Sequence, residues 1–176
     1  MKSLIILLTL ISLSFADIPN KMDLAKDLDN LSYNQRSVLV DVYYSAKEKT
    51  KSKTESLLLT AIAWKESSFG EKLESSTGDY GTFQINLKTF VSRFGEDLKQ
   101  AGILKHSKTM LKYNRNIGMT AALAELNYWK EKYNGDLDKV LSSYNAGHNL
   151  NAGKEYSIDV KQRMIILDSY LKLAQK

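Results

Sequence analysis

The sequence predicts a mainly α-helical single domain, with at most a small β element near residues 72–85. One proline and nine glycines in 176 residues leave few points at which a helix must break. Apolar residues recur at helical spacing in several segments, and no internal repeat, low-complexity tract or linker suggests a second domain. Once a short N-terminal signal is set aside, about 160 residues remain, enough for one domain with its own core.

The helices are expected in seven segments. Thr54 is the expected N-cap of the second, with Glu55 in its first turn. Gly95 is expected to separate the third segment from the fourth. The seven segments are residues 32–47, 54–67, 86–94, 96–101, 116–133, 136–144 and 157–174.

Three stretches outside these segments have the composition of irregular structure. Residues 17–30 are charged and are expected to form a loose leader, and residues 47–53 a basic connector. Residues 70–80 are rich in Ser, Thr, Gly and Asp, which predicts a loop or a short hairpin.

The N-terminus has the pattern of an export signal. A positive start at Lys2 precedes an apolar run over residues 4–13, and Ser14-Phe15-Ala16 offers small residues to a signal peptidase. The apolar run is shorter than the about 20 residues that a membrane-spanning helix needs. We therefore expect cleavage after Ala16, a periplasmic or secreted chain and no stable membrane insertion. An uncleaved N-terminal anchor is the alternative.

Several kinds of chemistry are excluded by composition. The chain has no cysteine, so disulfides, thiol catalysis, cysteine metal sites and a lipid anchor on cysteine are ruled out. Two histidines, His106 and His148, cannot build a zinc site by themselves. The net charge of +5 suits an anionic polymer only weakly. We expect no cofactor, no metal and no nucleic acid partner.

Glu66 lies at the end of an apolar stripe on the second predicted helix. Ala63, Ile62 and Leu59 precede it by three, four and seven residues and share its face. Desolvation and the nearby helix C-terminus would both raise the pKa of a carboxyl group there. Glycosidic cleavage needs such an acid to protonate the leaving oxygen. Periodicity alone also permits a helix that frays at Lys65, with Glu66 in water.

Glu66 also opens a run of residues that resembles the catalytic motif of the lytic transglycosylases with the soluble-transglycosylase (goose-lysozyme-like) domain. Three further segments resemble that family in the same order: Asn116-Ile117, Ser143-Tyr144-Asn145-Ala146-Gly147, and Tyr156 with Val160. Together they span about residues 57–171. The residues that match in the first motif are Glu66-Ser67, Phe69, Ser75, Gly78, Gly81, Phe83, Gln84 and Ile85.

The resemblance implies a lysozyme-like fold and a cleavage without water that leaves 1,6-anhydro-muramoyl ends. Glu66 would protonate the glycosidic oxygen and then act as the base that helps the sugar's own hydroxyl close the ring. Tyr156 would place its hydroxyl beside the acid. The implied division of the chain is a signal peptide at 1–16, a leader and first helix at 17–53 and a catalytic domain at 54–176.

The remaining matched residues would shape the cleft or bind substrate. Ser75 would form a hydrogen bond near the acid or the substrate's acetamido group, and Gln84 and Asn145 would hold sugar groups. Tyr144 is either a packing residue or a wall of the cleft. Gly78 and Gly81 of the same motif would permit tight backbone turns that shape the cleft.

Asp79 departs from the family pattern, as do Glu71 and Thr82. The family has a small residue at the position of Asp79, and the run from Asp79 to Asn86 is similar to the segment of animal lysozymes that supplies a second carboxylate. Two carboxylates would permit a retaining hydrolysis that consumes water. A turn residue that caps its own backbone is the structural alternative.

Three functions therefore stay open: a monomeric lytic transglycosylase of peptidoglycan, a lysozyme-type hydrolase that uses Glu66 and Asp79, and a non-catalytic wall-binding module. The resemblance favours the first. A secretion or conjugation machine of the cell envelope is a candidate partner, with residues 17–30 as the segment that could dock it.

Overall fold

The structure, a computed structural model, describes residues 21–173 of the chain. The predicted mainly α-helical fold with one small β element is confirmed, whereas the predicted signal peptide and the cleavage after Ala16 lie outside the described residues. None of the helices within residues 21–173 combines the length and apolar character that crossing a bilayer requires. In chain order the elements are α1 (Lys21–Asp29), α2 (Tyr33–Thr50), α3 (Lys53–Ser67), β1 (Asp79–Tyr80), β2 (Ile85–Asn86), α4 (Leu87–Gln100), a 3-10 turn (Leu104–His106), α5 (Ser107–Tyr113), α6 (Arg115–Lys132), α7 (Leu137–Ala146) and α8 (Lys154–Leu173).

Helix α3 is the centre of the core. Its residues from Ser56 to Trp64 are all buried, because α2, α6 and α8 pack around it. A helix that is apolar on every side has to be enclosed in this way. The two hydroxyls in this stretch bond to the helix backbone: Ser56 to Ser52 O at 2.6 Å and Thr60 to Ser56 O at 2.7 Å. Packing therefore fixes where the C-terminal end of α3 lies.

The start of α3 corrects two sequence predictions. Ser52, not Thr54, is the N-cap, since its side chain accepts a hydrogen bond from the backbone N–H of Glu55 at 3.2 Å. Helix α2 continues to Thr50 and ends where Lys51 adopts a left-handed conformation. The predicted connector over residues 47–53 thus shrinks to two residues.

Residues 21–29 are not the loose leader that their charge suggested. They form α1, and Leu24 and Leu28, four residues apart, are buried on the side where α1 packs against α8. The side chain of Arg36 ties this region together by donating to the carbonyls of Asp29 and Leu31 and to the hydroxyl of Tyr170. The apolar face of α1 is therefore already occupied by the chain itself.

Helix α4 corrects the prediction of two short helices over residues 86–94 and 96–101. Gly95 lies inside one continuous helix, because a helical glycine costs only about 1 kcal/mol. Asn86 caps this helix by accepting from the backbone N–H groups of Lys88 and Thr89. Helix α5 had no counterpart among the predicted segments. The helices predicted at 116–133, 136–144 and 157–174 correspond to α6, α7 and the described part of α8.

The short hairpin β1–β2 rests on α5 through Gly81. The two strands pair antiparallel, with Asp79 opposite Asn86 and Tyr80 opposite Ile85. Gly81 has φ +80°, and a Cβ there would lie 2.0 Å from the carbonyl oxygen of Leu111 in α5. Only glycine permits this approach, so Gly81 sets how closely the hairpin packs on the helical body.

Candidate active site

Glu66 lies in the last turn of α3, where the chain leaves the core. Ser68 and Phe69 adopt left-handed conformations that turn the chain away, and the buried Phe69 ring stacks on Trp64 with centroids 6.0 Å apart. The Ser67 hydroxyl donates to Thr82 O at 2.8 Å and accepts from the backbone N–H of Gly70 at 2.8 Å. The end of α3 is thereby held against the hairpin.

A cleft of about 650 Å³ opens at this point between the hairpin, α4, α6 and α7. A volume of that size suits a bound ligand rather than a few waters. Six of the candidate site residues from the sequence line it together: Glu66, Ser75, Asp79, Gln84, Tyr144 and Asn145. Within residues 21–173 no group of three or more His, Asp or Glu side chains is arranged to hold a metal ion.

Glu66 is hydrogen-bonded to Tyr156, as the family resemblance implied. The buried Tyr156 on α8 donates its hydroxyl to Glu66 Oε1 at 2.6 Å. Burial raises the pKa of Glu66 to about 7, while the Tyr156 hydroxyl and the Lys65 ammonium oppose that rise and the Asp79 carboxylate adds to it. Glu66 is therefore a carboxyl group that carries its proton up to about neutral pH.

The sequence left two roles open for Tyr144, a packing residue or a wall of the cleft, and in the structure it has both. Its hydroxyl donates to the carbonyl of Phe83 at 3.2 Å, and its ring stacks on Tyr156 with centroids 6.3 Å apart. It also lines the cleft. Burial, followed by the charge of Glu66, raises the pKa of Tyr156 well above its ordinary value, so its hydroxyl stays a donor.

Asp79 is the second carboxyl group on the cleft, and its surroundings lower its pKa, whereas those of Glu66 raise the pKa of that residue. Partial burial alone would raise its pKa, but hydrogen bonds from Thr77, Asn86 and Ser75 outweigh burial and lower the pKa. Thr77 and Ser75 donate to Oδ2 at 2.5 and 2.8 Å, and Asn86 donates to Oδ1 at 2.9 Å. Asp79 is thus held as an anion in the same cleft as a protonated Glu66.

Ser75 was expected to bond near the acid or to the acetamido group of the substrate, and within the protein it bonds to Asp79. Its hydroxyl donates to Asp79 Oδ2 and accepts from the backbone N–H groups of Thr77 and Asp79, which closes the turn before β1. Among the described residues it has no hydrogen bond to Glu66. Its contacts therefore support the second carboxylate instead of the first.

Gln84 and Asn145 line the cleft in different ways. Gln84 adopts φ +45°, and its amide nitrogen donates to Gly81 O at 2.8 Å and to Lys72 O at 3.1 Å. These bonds brace the hairpin turn and leave the amide oxygen for a ligand. Asn145 is exposed on the last turn of α7, and its side chain bonds to no residue in the described range. Its amide is free to bind a ligand.

The far wall of the cleft holds residues that the sequence analysis missed. Glu125 on α6 accepts from Arg93 Nη2 and from Trp129 Nε1, each at 2.6 Å, and the Arg93 guanidinium lies 4.9 Å from the centroid of the Tyr128 ring. Glu125 and Trp129 are four residues apart on one helix face, which the sequence could have indicated. No local pattern connects them to Arg93 on α4, 32 residues earlier.

Comparisons with known proteins give one family and one relative. The family model described as "Transglycosylase SLT domain" matches residues 43–163, which is more than half of the chain and includes Glu66, Asp79 and Tyr156. The chain is also 37% identical over 120 residues to an uncharacterized 20.7 kDa protein from the vs-regB intergenic region of Enterobacteria phage T4. That match covers 65% of this chain and only 61% of the relative. No solved structure matches the chain significantly.

Proposed function

The chain belongs to the transglycosylase SLT domain family, and we propose that it is a lytic transglycosylase that cleaves peptidoglycan glycan strands. The bond cut is the β-1,4 link between N-acetylmuramic acid and N-acetylglucosamine, and the products end in 1,6-anhydro-N-acetylmuramic acid. The observation that carries this proposal is the 2.6 Å hydrogen bond from Tyr156 to a Glu66 whose pKa burial raises to about 7.

The reaction needs one group that first gives and then takes a proton. Protonated Glu66 donates its proton to the glycosidic oxygen as the bond to C1 of the muramoyl sugar breaks. The resulting carboxylate then accepts the proton of that sugar's C6 hydroxyl while the hydroxyl oxygen bonds to C1. Glu66 ends protonated, as it began, and no water is consumed. Tyr156 holds one carboxyl oxygen, so the other can face the substrate.

The cleft offers suitable partners for a glycan. The exposed amide of Asn145 and the amide oxygen of Gln84 can bind acetamido and hydroxyl groups, and the Arg93–Glu125 pair beside Tyr128 combines polar groups with an aromatic face. The Asp79 carboxylate lines the same cleft, and its negative charge would favour the positive charge that develops at C1. These contacts are part of the proposal.

A lysozyme-type hydrolysis is the second candidate, and Asp79 is the observation that favours it. Two carboxyl groups in one cleft whose surroundings move their pKa values in opposite directions form the acid and the nucleophile of retaining glycosidases. In that reaction Asp79 would bond to C1, and water would release the sugar with Glu66 acting as base.

Mass analysis of soluble products from purified sacculi tests the proposal. The transglycosylase predicts muropeptides with anhydro ends, which are lighter by one water than the reducing ends that hydrolysis leaves. Glu66→Gln is expected to abolish release while the far-UV circular dichroism spectrum stays unchanged. Reducing ends would select the hydrolase, and full activity of the Glu66→Gln protein would remove Glu66 from its role.

The site of action and the partners are proposals that rest on the sequence. Export with cleavage after Ala16 would deliver a monomer to the periplasm or the outside, where peptidoglycan lies. A cell-envelope secretion or conjugation machine is the proposed partner. The intact mass of the chain recovered from the cell envelope tests the cleavage, since a retained N-terminus would contradict it.

A further inference from the structure

Three consecutive residues at the end of α3 each contact the same side of α8. Arg163 places its guanidinium over the Trp64 ring, 4.4 Å from the centroid. Lys65 Nζ lies 2.5 Å from Asp159 Oδ2. Glu66 accepts the hydrogen bond of Tyr156. Along these three contacts the residue numbers rise in α3 and fall in α8, so the two helices run antiparallel here. The contact made by Glu66 is the last of the three.

Asp159 is the central member, and it is buried. Its side chain is 3% exposed, one oxygen faces Lys65, and the other accepts from Arg163 Nε at 2.7 Å. A buried carboxylate is retained only where cations or donors compensate its desolvation, and here two cations do so. Asp159 follows Tyr156 by three residues and therefore lies one helical turn from it on the same face of α8.

The position of Lys65 matters for the adjacent acid. Its ammonium favours the ionised form of Glu66, which is the form that cannot donate a proton. The Asp159 carboxylate offsets that positive charge. The other groups that face Glu66 are Tyr156 from α8, Tyr144 from α7 and Asp79 from β1, with Glu125 of α6 on the far wall of the cleft.

We propose that Asp159 is a positioning residue for Glu66: its buried carboxylate neutralises the Lys65 ammonium and ties the end of α3 to α8, which keeps Glu66 both protonated and in reach of Tyr156. This inference rests on the proposed function, because it concerns what keeps the proposed acid Glu66 protonated and in position. It adds a residue outside the cleft to the machinery of the site.

The test measures the titration midpoint of Glu66 directly. Carbon-13 NMR of side-chain carboxyl groups follows Glu66 through pH, and the Glu66→Gln protein identifies its resonance. Asp159→Asn leaves two cations unpaired and is expected to lower the midpoint by about one pH unit. Lys65→Met removes a cation and is expected to raise the midpoint. The double variant, which restores the net charge, is expected to return the midpoint close to the wild-type value.

A matched control lies at the other end of the same two helices. Lys53 of α3 pairs with Asp168 of α8 at 2.6 Å, far along the chain from Glu66. Asp168→Asn is expected to leave the Glu66 midpoint unchanged. If the Asp159→Asn protein does not fold, Lys65→Met still tests the inference. The Lys65 side chain is 35% exposed, so the fold is expected to tolerate its replacement.

The outcomes separate this inference from the proposed function. An unchanged midpoint in Asp159→Asn or in Lys65→Met overturns the inference, and so does an equal shift in Asp168→Asn. A merely structural role would lower activity without moving the midpoint. Absence of anhydro products from the wild-type protein would overturn the proposed function instead, and the titration would still decide the role of Asp159. In an active enzyme the alkaline limb of the activity profile is expected to follow the same order of variants.

Discussion

The hydroxyl of Tyr156 donates a 2.6 Å hydrogen bond to Glu66 Oε1, although the two residues are 90 positions apart in the chain. This bond opposes the effect of burial, because a donor to the carboxylate favours the ionised acid. The pKa of about 7 is therefore a balance in which burial is the largest contribution. Each contribution can be removed separately.

Tyr156→Phe removes the donor and leaves the ring. The pKa of Glu66 is expected to rise above about 7, so the alkaline limb of activity moves to higher pH. The loss of a hydrogen bond to a charged group, about 1.5 kcal/mol, would lower kcat about tenfold because the acid is less well oriented. A pH–rate profile measures both effects. Tyr144→Phe, whose hydroxyl donates to Phe83 O, is the control that should keep the limb in place.

Glu66→Gln should make the protein more stable at alkaline pH. The pKa of Glu66 is raised in the folded chain, so its stabilising contribution is present below the ordinary value of 4.5 and is lost as pH rises through about 7. Gln stays neutral at every pH. After allowance for partial exposure, we expect the variant to gain about 2 kcal/mol over the wild type at pH 8 and little at pH 4. Urea denaturation at both pH values checks this, and an equal gain at both would contradict it.

Asp79→Asn distinguishes the two reactions. In the proposed transglycosylase it removes a favourable charge, so the rate should fall about tenfold while anhydro ends remain the product. In the hydrolase it removes the nucleophile, and turnover should stop. Ser75→Ala is the matched control, since it removes one donor to Asp79 and keeps the carboxylate. Product masses and rates from the same digests give the answer.

Gly81→Ala should destabilise the fold much more than Gly78→Ala. Both glycines have positive φ, but a Cβ at position 81 would lie 2.0 Å from Leu111 O, whereas a Cβ at position 78 would meet nothing within 4 Å. We expect a loss of about 3 kcal/mol or more at position 81 and about 1 kcal/mol at position 78. Thermal unfolding of the two variants measures the difference, and equal losses would show that the contact with α5 is unimportant.

The sequence predicts most helices because their apolar spacing is local information. It identifies the end of α3 correctly and misplaces its start by two residues, since Ser52 and Thr54 are both good N-caps and only the tertiary course of α2 decides between them. The predicted helix break at Gly95 and the predicted loose leader over residues 21–29 are wrong for a related reason. Packing of α4 outweighs a glycine, and packing against α8 stabilises a short charged helix that composition alone would leave unfolded.

The candidate site also has a part that the sequence predicts and a part that only the packed chain determines. The motif brings Glu66, Asp79, Gln84 and Tyr144 to one cleft, and Tyr156 to the acid. Which carboxylate Ser75 serves depends on a turn geometry that spacing does not specify. The contact between Arg93 and Glu125 depends on how α4 crosses α6, which is a property of the packed chain. Local motifs thus indicate the chemistry, and long-range packing supplies its surroundings.

The packing of α1 on α8 also means that the folding unit is larger than the region by which the family is recognised. The family match begins at residue 43, within α2, and ends at residue 163, within α8. A chain trimmed to those limits would cut two helices and lose both Tyr170 and the Arg36 side chain that holds it. It would also uncover the surface that Leu24 and Leu28 protect from water. For expression and crystallisation, a shortened chain should therefore keep both α1, which begins at Lys21, and the part of α8 that carries Tyr170.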